Sequence, residues 1–327
     1  MELGMFLKQS FRSKTKSPRL AALLIILAWG IFYTVYESWD RDFENPRVQK
    51  YRETLFPCKI WQIYLSPRNS NSHKFEIDPS KISNTASWLS KNPNYQYQLV
   101  GDAGAESFIR RHYPRDQKMW TLFKSLPNVA LKSDFLRYLL LYREGGIYTD
   151  TDTVALQPIS KWVRKPYQST IRVVIGIEFD RLDGPQWGGG VHSEIMFSQY
   201  TIAATPGHPI FKNMLHSAIN LLEILAAGRN TTISALDITA AEVIETTGPS
   251  AWTDVIWRQL QQYDPSLTSL RDLSGLTGPR IIGDIMILPI NAFGMGQLHS
   301  NSANSGTIPS DALVRHTWAG SWLPHLK

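Results

Sequence analysis

The chain has 327 residues, of which 43% are hydrophobic, and this supplies enough apolar material for one large α/β domain or two smaller ones. Its formal charge of +6 is concentrated at the start, because residues 1–19 hold five cations and one acid. The remaining chain is close to neutral, which excludes the extended basic surface of a nucleic-acid-binding protein.

The first predicted element is an uncharged run from Leu20 to Tyr36. As a helix it would span about 26 Å, which is close to the thickness of a thin bilayer. Large aromatic side chains occupy its far end, where a cleavable signal peptide needs small residues, so we favour an uncleaved signal anchor over that alternative. Cations precede the run and acids follow it, which predicts a cytosolic tail over residues 1–19 and a lumenal remainder.

After this anchor, the charged stretch 37–56 is expected to be a stem that spaces a globular domain from the bilayer. The single Cys58 excludes an intrachain disulfide, and its position at the start of a predicted strand indicates an inert core thiol. Strands are predicted at Lys59–Leu65 and Tyr95–Val100, with a helix over Pro79–Lys91 between them. This order predicts a crossover that joins two parallel strands.

The centre of the chain carries the strongest local pattern. Apolar residues at helical spacing follow Asn128, which can cap the first turn, and Gly145 can supply the positive φ that ends the helix. A buried strand is predicted at Ile147–Thr149, so Asp150 and Asp152 should leave the core together at a sheet edge.

Two carboxylates in that position suit a hard divalent cation, whose natural partner is a diphosphate. A cation there would stabilise a departing nucleoside diphosphate as a Lewis acid. A solvated turn is the plain alternative, because Asp-x-Asp alone is a weak motif. On the preceding helix Asp134 and Arg137 share one face, where a surface ion pair is the plain alternative to a functional role.

Later elements are predicted in the same way. We expect a glycine-rich loop around Trp187 to be either a mobile flap or a surface insertion. The remaining predictions are a strand at Arg172–Glu178, a helix from Pro209, a helix at Ala251–Tyr263, a strand at Ile281–Pro289 and a loop at His299–Ser310.

Several segments together resemble a known family. Ser133-Asp134-Phe-Leu-Arg137-Tyr138, Gly145-Gly-Ile-Tyr148, Asp150-Thr-Asp152, Pro206-Gly-His-Pro209, Thr247-Gly-Pro249 and His316-Thr-Trp318 with Ser321-Trp322 are similar to motifs of glycosyltransferases with a sugar-binding Asp-x-Asp motif. The similarity is greatest to fungal initiation-specific α-1,6-mannosyltransferases of N-glycan outer chains. This resemblance implies a lumenal α/β domain over residues 57–327 with the GT-A glycosyltransferase fold, which is a Rossmann-like, mostly parallel central sheet flanked by helices. It also implies GDP-mannose as donor, Mn²⁺ as cofactor, and retention of anomeric configuration.

The resemblance also implies roles for individual residues. Asp150 and Asp152 would be the catalytic pair and would hold the metal with His316, for which a core or ring-stacking position is the alternative. Trp318 and Trp322 are candidates for closing the site and excluding water. The implied substrate-binding residues are Asp134, Arg137, Tyr148, Trp318, Trp322, Trp61 and Gln62, and for the last two ordinary core packing is equally open.

The expected protein is therefore a single-pass type II Golgi mannosyltransferase. Its partners would be a nucleotide sugar, a glycan or glycoprotein acceptor, and a Golgi mannosyltransferase complex. The nearest alternative is a glycolipid-directed enzyme of the same family, either an inositol-phosphoceramide mannosyltransferase or an α-galactosyltransferase. The alternative from another class is an inactive lumenal module that is lectin-like or acts as a scaffold. An intact Asp134, Arg137, Asp150 and Asp152 set argues against the inactive module.

Overall fold

A mixed β-sheet with helices on both faces forms the framework of the protein, seen in a computed structural model that describes residues 55–66, 77–115, 117–182, 193–297 and 302–320. The strands are β1 Lys59–Ile63, β2 Gln96–Val100, β3 Gly146–Thr149, β4 Thr153–Ala155, β5 Val173–Asp180, β6 Ile195–Phe197, β7 Thr201–Ala204, β8 Arg280–Ile282, β9 Ile285–Leu288 and β10 Val314–His316. The helices are α1 Thr85–Lys91, α2 Asp102–His112, α3 Gln117–Ser125, α4 Val129–Glu144, α5 Pro209–Gly228, α6 Ala240–Thr246, α7 Pro249–Tyr263 and α8 Ile290–Gly294.

The main path of the sheet runs β2-β1-β3-β7-β5-β9-β8, with β6 paired to β5. The predicted crossover from β1 through α1 to β2 is confirmed, since these strands are parallel. β7 is antiparallel to both β3 and β5, so β3 and β5 run in the same direction. Their carboxyl ends therefore lie at the same edge of the sheet.

The core follows from the register of these strands. Ile60, Ile147, Ala203, Val174 and Met286 lie directly opposite one another across five strands and belong to one hydrophobic cluster. Residues in such a row share one face of a sheet. This face is covered by a further group of the same cluster, Trp88, Trp162 and Phe293.

The other face is covered by α4, which begins and ends as the sequence predicts. The side chain of Asn128 accepts a hydrogen bond from the Leu131 N–H at 2.9 Å, and Gly145 ends the helix with φ +62°. A Cβ on Gly145 would lie 2.8 Å from the Ala204 carbonyl oxygen, so this position requires glycine for packing as well as for φ. Twelve of the sixteen residues of α4 are buried, so the helix is a core element on nearly all sides.

Two predicted elements differ from the structure. The expected strand over Ile281–Pro289 is a hairpin of β8 and β9, because Gly283 turns the chain with φ +59°. The expected helix over Pro79–Lys91 is a short 3₁₀ turn followed by α1. The predicted anchor at 20–36, the stem up to residue 54 and the glycine-rich loop around Trp187 lie outside the described residues. Among the residues that are described, no helix is both long and apolar enough to cross a bilayer.

Candidate active site

The candidate site begins at the carboxyl end of β3, where Asp150 is held through its backbone. Its N–H donates to the Tyr200 carbonyl at 2.8 Å. Its carbonyl accepts from the Thr153 hydroxyl at 2.6 Å and from the Gln62 side-chain amide at 3.0 Å. Three different elements therefore fix the direction in which the Asp150 carboxylate projects.

A small two-stranded ribbon brings a distant histidine to these acids. β10 pairs with β4 in antiparallel register, with His316 opposite Thr153, immediately after the Asp150-Thr-Asp152 turn. The His316 Nε2 atom lies 3.1 Å from both carboxylate oxygens of Asp152. Each of three residues, Asp150, Asp152 and His316, offers one ligand atom. These three atoms lie within 4.8 Å of one another.

The residues present fit a divalent cation. Two carboxylates and one imidazole form a donor set that suits Mn²⁺, whereas Mg²⁺ is less tolerant of imidazole nitrogen. The fit is supported by the other ring nitrogen of His316, Nδ1, which is buried and has no hydrogen-bond partner among the described residues. His316 is therefore held at this point by Asp152 and not by a core hydrogen bond on its second nitrogen.

The segment after β10 also fixes Asp152. The Thr317 N–H and hydroxyl donate to the Asp152 carbonyl at 2.9 and 2.8 Å. The Ala319 N–H donates to a carboxylate oxygen of Asp152 at 3.0 Å. Residues far apart in sequence thus set the orientation of the second acid.

Aromatic rings surround His316. Its ring centroid lies 3.9 Å from that of Trp318 and 4.1 Å from that of Tyr200. Trp318 adopts φ +54°, an uncommon value for a large residue, and the residue is 40% exposed. An exposed indole beside the acids is available to contact a ligand. Trp322 lies outside the described residues.

Arg137 of α4 connects the helix to the acids. Its guanidinium contacts Asp134 at 2.9 Å and Asp150 at 3.5 Å, and it donates to the Gln199 carbonyl at 3.0 Å. It also lies 4.7 Å from the centre of the Tyr148 ring, and the Tyr148 hydroxyl donates to Asp150. Arg137 and Tyr148 therefore contact the same carboxylate oxygen of Asp150.

Asp134 lies deeper in the protein. Its carboxylate accepts from the Thr247 hydroxyl at 2.7 Å as well as pairing with Arg137, and the Thr247 carbonyl accepts from Tyr138 at 3.0 Å. Asp134 and Arg137 are only 4% and 5% exposed. The alternative of a surface ion pair is therefore wrong, because α4 is packed on the side that carries these charges.

The two acids of the Asp150-Thr-Asp152 motif have pKa values shifted in opposite directions. Burial raises the pKa of Asp150, and the neighbouring Asp152 adds to this, while Arg137 opposes it. Burial acts in the same direction on Asp152, but hydrogen bonds from His316 and the Ala319 N–H outweigh it and lower the pKa of Asp152. Burial also raises the pKa of Asp134 to about 6, against the effects of Arg137 and Thr247. The site thus holds neighbouring acids whose pKa values are shifted in different directions.

Trp61 and Gln62 lie in the core. The Trp61 indole donates to the Gly145 carbonyl at 2.8 Å, at the amino end of β3 and away from the acids. Gln62 is fully buried, and its side-chain oxygen accepts from Thr85 and Tyr97 while its amide holds Asp150. For Trp61 the structure favours core packing over donor contact, and Gln62 supports Asp150 from within the core.

The structure adds residues that the sequence did not single out. Tyr200 and Gln199 reach the site from a bend that has no marked pattern of its own. Thr247 belongs to the Thr247-Gly-Pro249 segment that resembles the family, but the resemblance implied no site role for it. Glu178 is different, because it is one acid in the otherwise apolar run Val173–Phe179. A charged residue in a buried strand was the available signal.

Sequence comparisons agree with the expected family. Residues 79–168, which include the Asp150-Thr-Asp152 turn, match the family described as "Glycosyltransferase sugar-binding region containing DXD motif". The resemblance predicted from the motifs is confirmed by this match and by curated relatives that align over most of the chain.

Several relatives carry the name initiation-specific α-1,6-mannosyltransferase. The protein of Schizosaccharomyces pombe is 33% identical over 272 residues, which cover 81% of this chain and 63% of the relative. The protein of Candida albicans is 27% identical over 82% of this chain and 72% of the relative. A third relative, inositol phosphoceramide mannosyltransferase 3 of S. pombe, is 33% identical over 29% of this chain and 28% of its own length. The chain spans less than two thirds of the first of these proteins.

Proposed function

We propose that this chain is a metal-dependent mannosyltransferase with a GT-A fold that transfers mannose from GDP-mannose, with retention, to a mannose hydroxyl of protein-linked glycans, in α-1,6 linkage. One observation carries the proposal. Asp150, Asp152 and His316 converge at the carboxyl edge of an α/β sheet, and the two acids lie in a segment that matches sugar transferases with this motif. Ligands of open α/β sheets bind at this edge.

Asp150, Asp152 and His316 are the proposed ligands of a Mn²⁺ ion. When bound, the cation neutralises charge on the diphosphate leaving group. The protein supplies the preorganisation. Arg137 and Tyr148 hold Asp150 at its carboxylate, and the segment after β10 holds Asp152, so neither acid has to be ordered when the donor binds.

The donor sugar is proposed to lie beside these acids. Tyr148, Arg137 and Asp134 are the proposed substrate-binding residues beneath the acids, and the Arg137 guanidinium lies 3.5 Å from Asp150. Burial keeps the pKa of Tyr148 well above its ordinary value, so its hydroxyl stays protonated and donates to Asp150 at neutral pH. Trp318 and Trp322 are proposed to cover the donor and exclude water, which favours transfer over hydrolysis.

The acceptor and the location are proposed from the relatives and the sequence. The names of the S. pombe and C. albicans relatives support an α-1,6 linkage to mannose. The uncharged run 20–36 after a basic tail supports anchoring in the Golgi membrane with the catalytic domain in the lumen, where a mannosyltransferase complex is the proposed partner.

The proposal is tested by incubating the full-length chain with Mn²⁺, a panel of GDP- and UDP-sugars, and a high-mannose oligosaccharide. We expect the acceptor mass to increase by one hexose with GDP-mannose alone, and NMR of the product to show an α linkage. No increase with any donor would contradict the enzyme assignment and favour an inactive glycan-binding module.

A glycolipid-directed transferase is the second candidate, because the chain is also similar to an inositol phosphoceramide mannosyltransferase. The same assay with inositol-phosphoceramide in place of the oligosaccharide separates the two. A mass increase on the lipid only would overturn the glycan assignment and leave the donor assignment intact. Turnover with UDP-galactose in place of GDP-mannose would point to the α-galactosyltransferase alternative.

A further inference from the structure

Glu178 occupies an irregular position near the carboxyl end of β5. In the pairing with β6, Ile177 lies opposite Phe197 and Phe179 lies opposite Met196. The adjacent residues Met196 and Phe197 thus oppose three residues of β5, so Glu178 is the extra residue of a β-bulge. Bulges redirect a side chain and are frequent beside active sites.

The bulge lies at the edge of the sheet that carries the candidate site. β3 and β5 run in the same direction, so the end of β5 and Asp150 lie at the same edge. The charged side chains that act on Glu178 are His316, Asp150 and Arg137, and Glu178 in turn acts on Tyr200. These are residues of the candidate site described above.

The carboxyl group of Glu178 is incompletely satisfied. Its Oε2 atom is buried and has no hydrogen-bond partner among the described residues, and no ion pair to it is found there. The neighbouring Tyr200 hydroxyl is also buried without a hydrogen-bond partner in the described part of the chain. Burial raises the pKa of Glu178 to about 7, so the protein bears a cost to keep an acid here.

An ordinary structural role does not account for this arrangement. A structural acid in a core is paired or fully hydrogen-bonded, as Asp134 is with Arg137 and Thr247. Among the described residues Glu178 forms no ion pair and its Oε2 atom accepts no hydrogen bond, yet the strand around it is apolar, and a leucine would fit the same pattern. A group kept at a cost beside an active site is a candidate for contact with substrate.

We infer that Glu178 is a substrate-binding residue whose buried carboxyl oxygen hydrogen-bonds a hydroxyl group of a hexose at the candidate site. The inference rests on the proposed function, and it extends that function by assigning the carboxyl group that recognises a sugar hydroxyl from β5. The hexose is either the sugar of the donor or the terminal sugar of the acceptor, which present the same chemistry to a carboxyl group.

The test compares E178L and E178Q with the wild-type chain and with E223Q, which changes an exposed acid on α5. GDP-mannose hydrolysis without acceptor and transfer to a high-mannose oligosaccharide are measured at saturating Mn²⁺, together with Tm. We expect E178L to lose about 10- to 100-fold in kcat/KM and E178Q to lose less, because an amide still forms a neutral hydrogen bond. E223Q should match the wild type.

The stability readout separates binding from structure. If Glu178 serves substrate, E178L keeps or raises Tm, since the variant removes an unsatisfied buried group. A loss of both hydrolysis and transfer would show that Glu178 binds the donor sugar. A loss of transfer alone would show that it binds the terminal sugar of the acceptor. Wild-type kcat/KM in both variants, or a loss of activity matched by a fall in Tm of many degrees in both, would overturn the inference. A wild-type chain inactive with every donor would instead overturn the proposed function.

Discussion

The two ends of strand β3 carry carboxylates in opposite electrostatic surroundings. At its amino end Glu144 pairs with Lys59 and accepts from His112 at 2.8 Å. Hydrogen bonds from His112 and Lys59 outweigh burial there and lower the pKa of Glu144 to about 2. At its carboxyl end Asp150 faces Asp152 and one shared guanidinium, and its pKa is raised.

The difference shows how a fold distinguishes a stabilising acid from a functional one. Glu144 has a lysine and a histidine as partners for its one charge, although it borders a cavity of about 310 Å³ that is also lined by Trp61. At the other end, acids outnumber the cations that face them. A cluster that needs a further positive charge is suited to bind a cation, whereas a neutralised cluster beside a cavity is not. The position of the cavity alone would have pointed to the wrong end of the strand.

The largest expected effect on turnover comes from variants at the carboxyl end of β3. D150A and D152A should each lower turnover of GDP-mannose by at least about 10³-fold, because the proposed cation loses a ligand. The Tm of D150A should stay within a few degrees of the wild type, since this variant relieves repulsion between neighbouring acids. The Tm of D152A should fall slightly more, because Asp152 also accepts hydrogen bonds from His316 and the Ala319 N–H. Mass spectrometry of the acceptor and circular dichroism measure the two quantities. Full activity in both variants would remove the metal hypothesis.

A smaller effect is expected for the third proposed ligand. H316A should weaken Mn²⁺ binding at least about 10-fold, measured by calorimetric titration of the full-length chain, because Asp152 also loses the imidazole that orients it. H112A is the matched control at the amino end of β3, and its Mn²⁺ affinity should equal that of the wild type. Equal affinities in H316A and the wild type would show that His316 has only a packing role.

The smallest effect on activity, and a clear effect on stability, is expected for E144Q. The variant removes a carboxylate whose side chain is 14% exposed from two ion pairs, and the free energy of unfolding should fall by about 2 kcal/mol. Turnover should stay within about twofold, because Glu144 lies at the far end of β3 from the acids. An E144Q protein with wild-type stability but impaired turnover would reverse the contrast between the two ends.

The pH dependence of stability should have opposite signs at the two ends. The pKa of Glu144 is lowered from 4.5 to about 2, so its contribution is present above pH 4.5 and is lost as pH falls towards 2. The pKa values of Asp134 and Glu178 are raised to about 6 and about 7, so their contributions are present at acid pH and are lost as pH rises through those values. The free energy of unfolding, measured by urea unfolding from pH 3 to 8, checks this. E144Q should reduce its dependence on pH in the acid range, and E178L should reduce its dependence on pH near neutrality.

Local signals predicted the part of the site that is continuous in sequence. The Asn128 cap, the apolar spacing of α4 and the positive φ of Gly145 placed Asp150 and Asp152 at the end of a buried strand. The burial of Asp134 and Arg137 could not be predicted in this way, because periodicity finds the most apolar face of a helix but does not show that the opposite face is also covered.

The non-local part of the site depended on resemblance or was missed. β4 and β10 have three residues each, which is too short for alternation to indicate a strand, and their pairing is what brings His316 to Asp152. The bulge at Glu178 depends on the partner strand, so the sequence of β5 alone predicts only an ordinary core strand. The turn at Gly283 interrupts a run of isoleucines, so the sequence predicts one strand where the structure has the two strands of a hairpin.

The ribbon of β4 and β10 has a consequence for how the protein is made. Asp152 and His316 are separated by 164 positions, so the aspartates leave the ribosome long before the histidine that completes the cluster. The proposed cation site therefore cannot be complete in a nascent chain until residue 316 has been made and β10 has paired with β4.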